Sequence, residues 1–126
     1  MDKRVIHTDL APAAIGPYSQ AIERAQMVFT SGQIGIDPAT GELVTGGFEA
    51  QVRRAFGNLA AVVHAAGGDF SKVLKLTLFL TDLSEFAAVN ALMQELFKEP
   101  YPARSTVGVA SLPKGALFEV EAIFGL

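Results

Sequence analysis

Val73-Leu74-Lys75-Leu76-Thr77-Leu78-Phe79-Leu80-Thr81 is the stretch on which the fold of this 126-residue chain turns. Leucine recurs at every second position from Leu74 to Leu80, and Val73, Lys75, Thr77, Phe79 and Thr81 take the alternate places. Side chains of a strand point to opposite faces in turn, so the pattern predicts a strand over 73–81 with one fully apolar face and one mixed face. The apolar face needs a cover, and both neighbouring segments supply one. Upstream, Phe48, Val52, Ala55, Phe56, Leu59, Val63 and Ala66 fall on one helical stripe, with Glu49, Arg53, Arg54 and Asn58 elsewhere. Gly67-Gly68 ends that helix, because glycine readily takes the left-handed conformation of a C-terminal cap. Downstream, Asp82 followed by Glu85 fits a capping box with Asp in place of Ser or Thr. Phe86, Val89, Met93, Leu96 and Phe97 then form a second amphipathic helix, closed by Pro100 and Pro102.

Outside this centre the chain reads as strands. Val5-Ile6-His7 suits a short edge strand, and two prolines and a glycine make 11–17 irregular. Tyr18 to Glu23 and Met27 to Gln33 read as strands joined by a tight reversal. Asp37-Pro38-Ala39-Thr40-Gly41-Glu42 is a hairpin turn, since it lacks the alternating oxygen ligands of a calcium loop. Arg104 to Ala110 and Leu117 to Phe124 complete the order β-β-β-α-β-α-β-β in one domain, 1–126. Helices between strands imply crossovers that pack both helices on one face of a mixed sheet, an α+β architecture. The other face is expected to carry Lys75, Thr77 and Phe79, with Arg104, Thr106, Glu119 and Glu121 from the last two strands.

Composition narrows the possible chemistry. Half of the residues are hydrophobic and 18% are charged, against about 25% charged in a typical soluble domain. That excess, with Phe79 on the uncovered face, predicts a homo-oligomer that turns the face inward. The absence of cysteine excludes thiol catalysis, Cys-ligated zinc, iron–sulfur clusters and disulfides. A net charge of −3 without a basic run argues against a nucleic-acid partner. No run of 18 apolar residues and no leader-like N-terminus are present, so the expected location is the cytoplasm, away from membranes. Dinucleotide, P-loop, HExxH and nucleophile-elbow motifs are absent. His7 and His64 have no third ligand nearby in sequence and read as surface histidines.

The ionisable residues of the last two strands are more informative. Arg104 and Thr106 share one face of their strand, and Glu119 and Glu121 share one face of theirs. Adjacent pairing of these strands sets a guanidinium beside carboxylates. The group is then either a structural ion pair at an interface, or an arginine that grips a substrate carboxylate while a glutamate deprotonates water. Spacing leaves both open.

Gly16-Pro17-Tyr18-Ser19-Gln20, Thr30-Ser31-Gly32-Gln33-Ile34, Phe86-Ala87-Ala88-Val89-Asn90, Pro102-Ala103-Arg104-Ser105 and Phe118-Glu119-Val120-Glu121-Ala122-Ile123 resemble the RidA (YjgF-like) family over nearly the full length. The resemblance implies a chorismate-mutase-like subunit, with a mixed six-stranded sheet and two helices on one face, assembled as a homotrimer with sites between subunits. It implies hydrolytic deamination of 2-imino and 2-enamino acids, such as 2-iminobutanoate and 2-iminopropanoate, to 2-oxo acids and ammonia, without a cofactor. Carried over by position, Arg104 matches the residue that binds the substrate carboxylate and Glu119 the one that activates water. Tyr18, Ser31, Gly32 and Asn90 match positions lining the cleft. Thr106 stands where many members have cysteine, and retention of Arg104 and Glu119 predicts that activity survives the change. Glu121 leaves its strand on the same side as Glu119 and is the rival base. The alternative function is a non-catalytic protein that binds small carboxylates, such as 2-oxo acids, in the same cleft. A chaperone-like or RNA-cleaving role, also associated with the family, finds no support in the acidic balance.

Overall fold

The structure, a computed structural model, describes residues 2–126. In chain order these form β1 (Arg4–Ile6), β2 (Ala21–Arg24), β3 (Met27–Thr30), β4 (Gln33–Ile34), β5 (Ile36–Asp37), β6 (Glu42–Leu43), α1 (Gly47–Ala65), β7 (Val73–Leu80), α2 (Phe86–Leu96), β8 (Ala103–Gly108) and β9 (Phe118–Gly125). The main sheet has the order β1-β2-β3-β9-β7-β8, and β4 continues the line of β3 by pairing with β9. Counting β3 and β4 as one interrupted strand gives the expected six positions. β5 and β6 form a separate hairpin closed at Gly41, whose φ of +76° suits the residue without a Cβ. β8 pairs parallel with β7. β3 and β7 are both antiparallel to β9 and so run the same way. Each helix therefore connects two parallel strands, as a crossover must.

Both helices pack into one core. Leu76, Leu78 and Leu80 of β7 meet Phe118, Val120 and Phe124 of β9, Val52, Phe56, Leu59 and Val63 of α1, and Val89, Leu92 and Met93 of α2. Phe56 lies edge-on to Phe97, and Phe97 stacks on Phe70 with ring centroids 4.6 Å apart. Full burial of one such side chain contributes about 1.5–3 kcal/mol. The end of α1 follows the expected pattern: Gly67 has φ +94°, and the Gly68 N–H reaches back to the Val63 carbonyl at 3.0 Å.

Four expectations need correction. A bulge between Val73 and Lys75 leaves Leu74 unpaired, so Leu74 is 52% exposed whereas Val73 joins Leu76, Leu78 and Leu80 in the core. Asp82 and Glu85 do not form a capping box; Asp82 accepts instead from the Ser84 N–H and caps a short 3-10 turn that precedes α2. Asn58 of α1 is buried rather than solvated, and Gln51 of the same helix is also buried. Asn58 Nδ2 donates to the Ile34 and Ile36 carbonyls, and Gln51 Oε1 accepts from the Leu117 N–H. These bonds satisfy the carbonyls of the short strands β4 and β5 and the N–H that precedes β9.

The last two strands also depart from their expected adjacency. β8 and β9 are not adjacent, because β7 lies between them. Leu76 is opposite both Arg104 and Ala122, and Leu78 is opposite both Thr106 and Val120. Arg104 and Thr106 therefore leave the sheet on the helix side. Phe79 is opposite Val107 and Glu119, and Thr77 is opposite Ser105 and Glu121, so both glutamates occupy the open face. The shared face expected for all four residues fails, since a one-residue step along a strand reverses the side. The open face keeps apolar residues in view, with Phe29 49% and Val107 39% exposed. Among the described residues, no helix is long and apolar enough to cross a membrane.

Candidate active site

The strand expected to run unbroken over 27–33 is interrupted at Ser31-Gly32. Phe29 pairs with Ile123 and Gln33 with Val120, so three residues, Thr30 to Gly32, oppose only Glu121 and Ala122. The surplus residue bows the chain out of the ladder. Side chains secure the bow: Thr30 Oγ1 accepts from the Ala122 N–H at 3.0 Å, and Ser31 Oγ donates to the Ser19 carbonyl at 2.6 Å. The Ser31 N–H donates to the Gln20 carbonyl at 2.9 Å, which draws the 18–20 segment alongside. The buried Gln20 amide donates to the Thr8 and Pro12 carbonyls and accepts from the Thr8 N–H, fixing the loop in front of Tyr18. Tyr18 Oη accepts from the Ile15 N–H at 3.2 Å.

The bow makes room for a carboxyl group. A Cβ built on Gly32 would lie 2.6 Å from Glu119 Oε2 and 2.7 Å from its Cδ, so the Glu119 carboxyl rests directly on the Gly32 backbone. Tyr18, Ser31, Gly32, Glu119 and Glu121 line one open cavity of about 640 Å³, with apolar walls that include Ile15, Ile36 and Pro38. Lys114 stands at its margin and donates from Nζ to the Gly41 carbonyl at 3.2 Å. Burial, and then the neighbouring Glu121 charge, raise the Glu119 pKa above its ordinary value. Among the described residues, no ion pair joins either glutamate to a cation.

Arg104 belongs to a second cavity, of about 310 Å³, with Asn90 and Tyr101. Its Nη1 donates to Asn90 Oδ1 at 2.7 Å, and the guanidinium lies 5.2 Å from the Phe86 ring centroid. A neutral amide and an aromatic face orient the fork without neutralising it, which leaves other N–H groups for a carboxylate. Asn90 thus serves Arg104 rather than a local helix bond. The ion-pair reading of Arg104 fails within the subunit, where no carboxylate lies within bridging distance among the described residues. Thr106, two residues further along β8, carries a buried hydroxyl with no hydrogen-bond partner.

The candidate residues therefore form two groups. Tyr18, Ser31, Gly32 and Glu119 share the first cavity, while Arg104 and Asn90 share the second. Thr106 lies on the Arg104 side of the sheet. Sequence reasoning placed Phe86 on the apolar stripe of α2 rather than against Arg104, and assigned no role to the Gln20 anchor or to Lys114. Gln20 and Phe86 both sit inside the quoted motifs; Lys114 lies in a turn that offers no periodic signal.

The sequence model of a protein family described as "Endoribonuclease L-PSP" matches residues 8–124. A 2-iminobutanoate/2-iminopropanoate deaminase of Dermatophagoides farinae is 50% identical over 121 residues, covering 96% of this chain and 94% of that protein. The crystal structure of RidA from Psychrobacter sp. PAMC 21119 is similar with a TM-score of 0.94 and 48% identity, over 98% of this chain and 99% of the other. A structure of E. coli TdcF with bound serine is similar with a TM-score of 0.91 and 44% identity, over 98% of both chains. With the family model covering almost the whole chain and relatives near half identity, the chain belongs to the Endoribonuclease L-PSP family, the RidA (YjgF-like) family that its motifs resemble.

Proposed function

We propose that this chain hydrolyses 2-imino acids, and 2-enamino acids through their imine tautomers, to 2-oxo acids and ammonia. The observation that carries the reading is a pair of uncommitted ionisable groups: a carboxyl seated on Gly32 without a cation, and a guanidinium held by Asn90 and Phe86 without an anion. Curated relatives such as the Dermatophagoides farinae protein bear the name of this activity.

In this mechanism Arg104 receives the substrate carboxylate through parallel N–H bonds. The protonated imine carbon is already electrophilic, so positioning and one base suffice. Glu119 takes a proton as water attacks that carbon, a contribution of about 10²–10⁴-fold. The carbinolamine then collapses to the 2-oxo acid and ammonia. Tyr18, Ser31 and Gly32 shape the glutamate side of the cleft, and Asn90 aims Arg104. Thr106 contributes bulk beside Arg104 and no nucleophile.

Arg104 and Glu119 leave opposite faces of one sheet, so a single subunit does not close this site. The reading therefore requires assembly, a homotrimer in which each site takes Arg104 from one subunit and Glu119 from the next. Exposed Phe29 and Val107 on the open face support association. The substrate is a small molecule rather than RNA: the chain is acidic, and neither histidine lines either cavity.

A second reading, binding of amino-acid-like carboxylates without turnover, draws on the serine bound to E. coli TdcF. One assay separates the two. Threonine dehydratase generates 2-aminocrotonate, and its disappearance is followed with and without the chain. Acceleration by the wild type, lost by about 10-fold or more in Arg104→Ala and Glu119→Ala, supports hydrolysis. Binding of 2-oxobutanoate without acceleration supports the second reading.

A further inference from the structure

Dehydration of a hydroxy amino acid releases an enamine, in which C2 bears the amino group and is doubly bonded to C3. Water attacks C2 only after C3 has gained a proton. In the glutamate cavity, Glu119 and Glu121 leave β9 on the same face, two residues apart. The Glu119 carboxyl lies against Gly32 and has no hydrogen-bonded side chain or ion pair among the described residues. A carboxyl group in an apolar-walled pocket beside a second carboxylate is arranged to hold a proton.

We propose that this chain also catalyses enamine-to-imine tautomerisation, with the Glu119 carboxyl in its protonated form delivering the proton to C3 of the 2-enamino acid. The proposal rests on the hydrolase reading and adds a step before it. The C2–C3 π electrons take the Glu119 proton, and the nitrogen lone pair becomes the second bond of an iminium. Glu119 is left as carboxylate, and that carboxylate accepts the proton of the water that then attacks C2. The hydroxyl proton passes to nitrogen as the carbinolamine collapses, ammonia leaves, and Glu119 ends protonated as it began. One residue thus acts as acid and then as base, and no co-reactant is needed.

The surroundings favour the protonated start. Glu119 titrates above its ordinary value because of burial and the Glu121 charge. The other ionisable groups of the cavity are the Tyr18 phenol and Lys114, whose ammonium is bonded to the Gly41 carbonyl. Lys75 of β7 stands on the same sheet face, beside Ile123. The Glu121 charge, two residues away on the same strand face, favours the proton on Glu119.

The test is stereochemical. 2-Aminocrotonate is generated by threonine dehydratase in D2O, and the 2-oxobutanoate is trapped at once with lactate dehydrogenase and NADH. Proton NMR then reads the two C3 positions of the 2-hydroxybutanoate. Dehydratase alone sets the uncatalysed ratio. With the wild-type chain in excess, deuterium is expected to be at least threefold enriched in one position over that ratio, and Glu119→Gln is expected to abolish the enrichment. Faster hydrolysis at the uncatalysed ratio overturns the tautomerase step and leaves the hydrolase reading intact. Enrichment without faster ammonia release sustains the tautomerase step and removes the hydrolase reading. Neither effect with the wild type overturns both.

Discussion

Gly32→Ala separates the glutamate's position from the stability of the fold. The new Cβ would sit 2.6 Å from Glu119 Oε2, whereas atoms in optimal non-bonded contact lie about 3.5 Å apart, so the carboxyl must retreat by roughly 0.9 Å. A misplacement near 1 Å can cost about 10²-fold in rate. Escape by an off-rotamer twist of Glu119 instead costs about 0.5–1.5 kcal/mol. Gly32 does not adopt the left-handed conformation, so alanine suits its backbone, and the loss of unfolded-state entropy stabilises by about 0.4–1 kcal/mol. That gain offsets much of the crowding. The expected result is a kcat for 2-aminocrotonate hydrolysis lower by roughly 10–10²-fold, with a melting temperature by calorimetry within a few degrees of wild type. A Gly32→Ala protein with undiminished kcat would refute the argument, because the seat beneath Glu119 would then be irrelevant to catalysis.

Thr106→Val should retain hydrolysis within a fewfold and unfold at higher denaturant, because it deletes a buried hydroxyl without a partner, a gain of about 1 kcal/mol; loss of turnover would give the hydroxyl a chemical role. Glu119→Gln should change the pH dependence of stability. The folded pKa of Glu119 lies above its ordinary value of 4.5, so its stabilising share is full below that value and is lost as pH rises through the folded pKa. The amide variant should gain in melting temperature over wild type at neutral pH, with the gain shrinking in acid; a pH-independent difference would contradict the burial of this carboxyl.

Most of the architecture was legible because it rests on periodicity. The stripe from Phe48 to Ala66 and the alternation at 73–81 correspond to α1 and β7, and the turn residues at 37–42 to the β5–β6 hairpin. Pairing was less legible. Nothing in the residues of β8 indicates that it joins the far side of β7, yet that choice sends Arg104 and Glu119 to opposite faces. Bulges were hidden for a similar reason, since Leu74 continues the leucine series and only the β9 register reveals the surplus residue. Ser31-Gly32 read as the interior of an unbroken strand over 27–33, and its bow depends on bonds to the Ser19 and Gln20 carbonyls and from the Ala122 N–H. Asn58 looked like a solvent-facing residue because its partners are backbone groups distant in sequence. The candidate site residues came from motif resemblance; their division between two cavities came from the sheet register.

That division supports the central claim, that a working site combines Arg104 of one subunit with Glu119 of another, and complementation tests it most directly. Arg104→Ala and Glu119→Gln proteins, each inactive alone, are co-expressed in equal amounts and the mixed oligomer is assayed for 2-aminocrotonate hydrolysis. Random assembly leaves about a quarter of inter-subunit sites with both native residues, so about a quarter of wild-type activity should return. Mixed oligomers that stay as inactive as the parents would contradict the account.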